Sequence, residues 1–246
     1  MASAESVALA DQKRALRRAM GAQRSRLTAA ERSRAAAAMA ARLASLPELR
    51  EVTRRGGCVA GFAATRDEID PMQALEEARR DGALLAWPRV PRPADSAAHG
   101  EVAVAGPRLR FHLGSPDQLR PGRFGIAEPD AGAPEIAPSE VAVMLVSGLA
   151  FDARGNRLGF GGGYYDEVLA DAATGRPALV VGLGFDFQVV DACPVDERDA
   201  RVDCVVTDAR VIRCPPASGG PGQMNGDGAG GPSGRSTRDK DRKVDS

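Results

Sequence analysis

Histidine is almost missing from this 246-residue chain: His99 and His112 are the only two. Thirteen positions apart, they supply no helical metal-binding pair and no convincing Ser/His/Asp set. A surface or loop role is expected for each. Chemistry must then fall to lysine, arginine, carboxylates and backbone amides, with no side chain assigned as a covalent or acid–base catalyst. Cysteine is also scarce. Cys58, Cys193, Cys204 and Cys214 form no C-x-x-C pair and no zinc spacing, so they read as reduced thiols in or near the core. Net charge is absent, with 33 basic against 33 acidic residues, which argues against a protein built mainly to hold nucleic acid but leaves room for a local phosphate pocket. No apolar run approaches the roughly 20 residues of a membrane helix. Met1 to Ala10 lacks the basic start and apolar stretch of a signal peptide, so no membrane association and a cytoplasmic location are expected.

What is present suffices for a folded domain. The chain is 43% apolar and long enough for one large domain or two small ones. The first fifty residues read as a helical pair. Leu9, Leu16, Met20 and Leu27 mark the first helix, and Thr28 to Glu31 has the form of a capping box opening the second, which Pro47 ends. Strands are expected at Cys58–Ala63, Ala83–Val90, Glu101–Ala105, Arg108–Leu113, Val141–Phe151, Ala178–Phe185 and Cys204–Ile212. Asp70 and Pro71 start a helix that Gly82 stops, and another runs from the glycine-rich segment after Arg157 to about Ala173. Gly114 to Ser139 reads as an ordered loop. This alternation predicts an α/β fold with an open, mostly parallel sheet and helices on both faces, and ligands beyond the carboxyl ends of its strands. Residues 1–10 are expected to be flexible, 11–214 to form a single domain, and 215–246 to be a disordered tail of Gly, Ser, Pro and charge.

One segment concentrates the chemistry: Arg157-Leu158-Gly159-Phe160-Gly161-Gly162-Gly163-Tyr164-Tyr165-Asp166. It follows a strand and opens a helix. Its glycines let several backbone N–H groups face one side, a nest that attracts phosphate, with Arg157 as a fixed charge at the entrance. Neither the G-x-x-x-x-G-K-[ST] nor the G-x-G-x-x-G nucleotide fingerprint is matched. By itself the segment is compatible with a plain structural turn.

The run R-L-G-x-G-x-G-Y-Y-D resembles the signature of the 5-formyltetrahydrofolate cyclo-ligase family, as does its Gly-Leu-Ala-Phe-Asp lead-in. The K-x-x-x-R pattern that this family carries near its N-terminus is matched by Lys13-Arg14-Ala15-Leu16-Arg17. The resemblance implies that both segments surround ATP. It extends to Asp67-Glu68-Ile69-Asp70, where it implies that Glu68 holds the folate's pterin ring, since a carboxylate can accept from adjacent N–H donors in a fork. In Arg123-Phe124-Gly125-Ile126-Ala127-Glu128-Pro129 it implies that Phe124 walls the folate site, with Tyr164 a further substrate contact. In Pro194 to Asp203 it implies Asp199 as a magnesium residue, partnered by Asp166. Ser147 stands where proline is common, and Glu167 where arginine is usual.

The resemblance covers about Asp11 to Ile212 and implies a single three-layer α/β/α domain acting on reduced folate and ATP with Mg²⁺; a monomer is expected, although the sequence itself does not give the oligomeric state. The implied reaction turns 5-formyltetrahydrofolate and ATP into 5,10-methenyltetrahydrofolate, ADP and phosphate. Two other readings stay open on sequence alone: a nucleotide-binding relative with another substrate or no activity, and a sugar-phosphate or coenzyme A binding protein of similar architecture.

Overall fold

The computed structural model describes residues 3–65, 67–91, 109–122, 125–170 and 175–216, and one compact unit spans Met1–Pro216. The strand expected at Glu101–Ala105, Phe124, and the tail beyond 216 lie outside the described residues.

The N-terminus folds into three helices rather than two. Helix α1 (Ala4–Arg26) begins inside the stretch expected to be flexible, because the Ser3 hydroxyl accepts from Ser6 N and Glu5 occupies the positive end of the helix. Helix α2 (Ala29–Ala44) opens on the expected capping box: Glu31 N donates to Thr28 Oγ1 and Thr28 N to the Glu31 carboxylate. Pro47 does end α2, but it also occupies the first turn of α3 (Pro47–Arg54), where its missing N–H has no cost. Helix α4 (Met72–Arg80) is capped by Asp70, whose carboxylate accepts from Met72 N, and stops at Gly82 in the left-handed region at φ +110°.

The strands are β1 (Cys58–Ala60), β2 (Leu84–Arg89), β3 (Arg110–Leu113), β4 (Arg120–Pro121), β5 (Ala127–Glu128), β6 (Glu135–Ile136), β7 (Val141–Ser147), β8 (Ala150–Phe151), β9 (Arg157–Leu158), β10 (Leu179–Gly184), β11 (Cys204–Thr207) and β12 (Val211–Arg213). Helix α5 (Tyr164–Ala170) lies between β9 and β10. Eight strands form one sheet in the order β12-β11-β10-β7-β1-β2-β3-β6. The five central strands, from β11 through β2, run parallel, while β12, β3 and β6 are antiparallel additions at the edges. The expected strand Val141–Phe151 divides at Gly148 into β7 and β8, and Cys204–Ile212 proves to be the hairpin β11–β12.

Helices cover both faces, giving three layers. On one face Met39, Leu43, Leu49 and Leu75 pack against Val59, Val143, Leu145 and Val181; on the other Val168 and Leu169 of α5 join Met144, Val146, Phe151 and Val180. Alternation along β7 sends successive side chains to opposite layers, both buried, as a central parallel strand requires. Phe151 is wholly buried, and Gly148, Gly182 and Gly184 leave space for its ring. His112 departs from its expected exposed role. It is buried in β3 with Nδ1 2.8 Å from the Ala133 carbonyl oxygen, and Trp87 Nε1 donates to Gly114 O, so both hold the stretch expected to be a loop, which instead carries the short strands β4, β5 and β6.

The chain leaves β1 toward β2 and β3 on one side, and later takes β7, β10 and β11 on the other. The order therefore reverses between β1 and β7, and the crevice outside their carboxyl ends is where such sheets bind ligands.

Candidate functional site

Helix α1 lies along that crevice. Lys13, Arg17 and Arg24 fall at i, i+4 and i+11, about three turns of one helix face. Each reaches a different segment of the chain. Lys13 Nζ donates to Asp199 Oδ2 at 2.5 Å and to Asp196 Oδ2 at 2.9 Å. Arg17 Nε donates to the Gly159 carbonyl at 2.9 Å, and Arg24 Nε to the Asp67 carbonyl at 2.7 Å. One helix thus ties together the closing segment near Asp199, the glycine loop and the turn carrying Glu68.

The glycine loop connects β9 to α5. Gly161 and Gly163 adopt φ +102° and +70°, which side chains with a Cβ rarely take. The Tyr164 ring lies against Gly162 so closely that a Cβ there would sit 2.7 Å from its Cε2. Phe160 is more than half exposed, with the Arg24 guanidinium 5.3 Å from its ring centre.

Arg157 is not at the entrance of this loop, as the sequence suggests, but beneath it. Only 4% exposed, it donates to Asp166 Oδ1 at 2.7 Å and to the Ser147 carbonyl at 3.3 Å, and lies against the Tyr165 ring. A central-strand end, the loop and the first turn of α5 are locked together by this one cation. Its position in β9, facing inward, explains the difference. Removal from water, with the Glu68 charge nearby, pushes the Tyr165 hydroxyl well above the usual tyrosine range.

Asp166 Oδ1 also accepts from Ala200 N at 3.2 Å, so the residue after Asp199 docks on the carboxylate that ends the loop motif. The two proposed metal residues therefore stand on touching segments. Asp199 Oδ2 accepts from Asp196 N in addition to Lys13. Among the described residues, Asp166 Oδ2 and Asp199 Oδ1 have no protein partner. Burial disfavours the Lys13 ammonium, but its hydrogen bonds to Asp196 and Asp199 outweigh that and raise its pKa; the Lys13 hydrogen bond holds the Asp196 carboxyl below its usual range.

Glu68 is buried on the turn after β1. Its Oε2 accepts from Thr65 N at 2.7 Å and Thr65 Oγ1 at 2.9 Å, while Oε1 has no protein partner among the described residues. Not every residue of the matched motifs points inward. Arg14 turns to solvent and pairs with Asp11, Ala15 is exposed, and Leu16 and Leu158 belong to a small apolar cluster with Met20, Leu149 and Cys193.

Two contributors are given no role by the motif reading, although Asp152 closes the Gly-Leu-Ala-Phe-Asp lead-in. Arg24 is one; its signal is its position on the Lys13–Arg17 face. Asp152 is the other. Wholly buried between β8 and β9, it accepts from Arg154 N, Asn156 N, Asn156 Nδ2 and Cys193 N. Burial opposes its charge, yet these bonds prevail and lower its pKa. It fixes the start of the closing segment against the turn that feeds the glycine loop.

Fold and site together define an α/β protein with a composite site, basic along α1 and on its loop, acidic at Glu68 and at the closing segment. The profile of the 5-formyltetrahydrofolate cyclo-ligase family matches residues 10–208, and the chain belongs to that family of ligases. It is 30% identical over 164 residues to a Saccharomyces cerevisiae protein named 5-formyltetrahydrofolate cyclo-ligase, covering 63% of this chain and 75% of that one. An Escherichia coli K12 protein of the same name is 30% identical over 154 residues, 62% of this chain and 79% of its own. The solution structure of Aquifex aeolicus 5,10-methenyltetrahydrofolate synthetase superposes with a TM-score of 0.66 at 29% identity, over 87% of this chain and 98% of that one. A Mycoplasma pneumoniae 5,10-methenyltetrahydrofolate synthetase shares the fold with a TM-score of 0.58 at 20% identity, over 80% and 98%.

Proposed function

We propose that this chain works as its family does, converting 5-formyltetrahydrofolate and ATP to 5,10-methenyltetrahydrofolate, ADP and phosphate. The observation that carries the reading is the single face of α1 that reaches the Glu68 turn, the glycine loop and the closing segment at the switch point of the sheet. A formamide oxygen is a poor leaving group. It attacks the γ-phosphorus, the bond from that phosphorus to ADP breaks, and the oxygen becomes part of a phosphate ester on the formyl carbon. Folate N10 then attacks this carbon. The carbon–oxygen bond breaks, phosphate departs with the electron pair, and N10 releases its proton, leaving the methenyl bridge between N5 and N10.

Such a sequence needs positioning and charge neutralisation more than a general base. In this reading the backbone of Gly159–Gly163 and Arg17 hold the phosphates. Lys13 joins them by exchanging a carboxylate for a phosphate oxygen. Phe160, Tyr164 and Tyr165 flank the nucleotide loop, and Arg157 keeps the loop in place from below. Glu68 accepts from the pterin.

The donor set suits magnesium: Asp166 and Asp199 each keep one oxygen without a protein partner, on segments that touch. Among the described residues no group of three or more His, Cys, Asp or Glu is arranged as a metal cluster, so these two carboxylates would share the ion with phosphate oxygens and water. Bound there, magnesium would neutralise phosphate charge. A single chain carries all of these groups, as a monomer would, and four free thiols suit the reducing cytoplasm.

The test is one assay. ADP release that requires 5-formyltetrahydrofolate, in step with the absorbance of the methenyl product, is expected. ATP binding without folate-dependent turnover would overturn the reading.

A further inference from the structure

Arg24 is 3% exposed, yet among the described residues its only hydrogen bond is the one from Nε to Asp67 O. A guanidinium carries five N–H donors, and burying it with most of them unfilled is unfavourable. Nη1 is fully buried without an acceptor. Glu68 does not form an ion pair with Arg24, although its charge, with that of Asp67, opposes the lowering of the Arg24 pKa by burial. The Phe160 ring at 5.3 Å fixes the guanidinium from the loop side. The turn at Asp67–Glu68 therefore combines a carboxylate with one unfilled oxygen and a cation with unfilled donors, neither satisfied by the other.

A pterin edge has the complementary sequence: two neighbouring N–H donors and, beside them, a ring carbonyl. We propose that Arg24 is a specificity residue that donates to the ring carbonyl next to the N–H groups read by Glu68. The assignment rests on the folate reading above. It explains why an arginine, with its rigid fork of donors, is held at this point of α1 and not left on the solvated face.

The probes are 5-formyltetrahydrofolate and its counterpart in which the ring carbonyl is replaced by an amino group, titrated calorimetrically. The wild-type chain should favour the carbonyl ligand by about tenfold or more, because the exchange turns the acceptor facing Arg24 into a donor and also removes the ring N–H facing Glu68; the share that Arg24 supplies is the part of the preference lost when it is substituted. Arg24→Gln should reduce that preference to about threefold or less, and Arg24→Lys, which keeps one charged donor, should fall between. Equal binding of the two ligands by the wild-type chain would overturn the proposal, and this measurement stands even if a variant fails to fold. Equal weakening of both ligands in Arg24→Gln would also overturn it, since a residue that merely holds the Asp67 turn would act that way. A wild-type chain that binds ATP but neither folate would overturn the folate reading, and the assignment with it.

Discussion

Lys13 and Asp199 are 186 positions apart in the chain and meet in an ion pair of 2.5 Å. The first helix and the last segment before β11 thus hold each other in place, so the site is completed only when both ends of the domain have docked. The pair is partly buried, with the Lys13 and Asp199 side chains 12% and 19% exposed. Lys13→Met and Asp199→Asn should each destabilise the fold by about 1–3 kcal/mol, and the double variant should lose clearly less than their sum. Urea unfolding of the four proteins measures this, and simple additivity would show that the contact contributes nothing.

The pH dependence of the same cluster has a definite sign. The pKa of Lys13 is raised, so its contribution is complete below the ordinary lysine value and fades as pH rises through the higher folded one. The pKa of Asp196 is lowered, so its contribution is complete above the ordinary aspartate value and fades as pH falls through the lower folded one. The cluster should therefore support stability evenly from about pH 5 to pH 9. Thermal melts of wild type and Lys13→Met should differ by a constant amount across that window. A difference that changes sign within it would contradict the assignment.

Gly161 takes φ +102°, and a Cβ added there would lie 3.7 Å from the Arg17 guanidinium carbon. There is room for the atom but not for the backbone conformation, which costs a β-branched residue roughly 1–3 kcal/mol. Gly161→Val should remove ATP binding while the circular dichroism of the sheet stays intact. A valine variant with normal ATP affinity would make the loop a turn and nothing more.

The glycine loop stood out by its local composition, whereas Glu68 and the K-x-x-x-R stripe were reached through the family resemblance, since an acid on a turn and a basic helix face look ordinary by themselves. The capping box at Thr28 and the stop at Gly82 were legible because the physics sits within a few residues. Arg157 was misplaced because a charged residue in a two-residue strand gives no periodicity from which burial could be read. The division of Val141–Phe151 at Gly148 and the hairpin inside Cys204–Ile212 are set by pairing partners distant in sequence, not by the apolar runs themselves. Arg24 was hidden by its neighbours, since Arg18, Arg24 and Arg26 look alike until the docked face of α1 is known.

Gly182 lies in β10 directly against Phe151, and an added Cβ would sit 2.4 Å from the ring's Cε1. The ring is wholly buried and cannot swing away. Gly182→Ala should cost about 1–3 kcal/mol through overpacking, and Phe151→Leu in the same chain should recover part of it. Chemical denaturation of the single and double variants decides the point. No loss in Gly182→Ala would mean that the ring has space the packing does not show.

The native thiols should be unreactive. Burial, as the main cause, pushes Cys58, Cys204 and Cys214 up to about 11 and Cys193 up to about 12. Thiolate is the reacting form, and at pH 8 a pKa of about 11 leaves roughly one thiol in a thousand ionised. A colorimetric thiol reagent should therefore register almost nothing with the folded protein and all four cysteines in denaturant. Rapid reaction of one native thiol would point to Cys214, the one that is only half-buried.

Glu68 offers the most direct test of how the folate is read. Its Oε2 is held by Thr65 N and Thr65 Oγ1, so the other oxygen is the one presented to a ligand. Glu68→Gln can keep the Thr65 bonds through its amide oxygen, and the fold should be retained with little change in melting temperature. What changes is the presented atom, from an acceptor to an N–H₂ donor facing the donors of the pterin. Loss of one hydrogen bond to a charged group corresponds to about 1.5–3 kcal/mol, or roughly 10- to 150-fold in affinity for 5-formyltetrahydrofolate. ATP, held by the glycine loop, should bind the variant as it binds the wild type. Unchanged folate affinity, or an equal loss for ATP, would remove Glu68 from the folate site and would return the turn after β1 to a structural role.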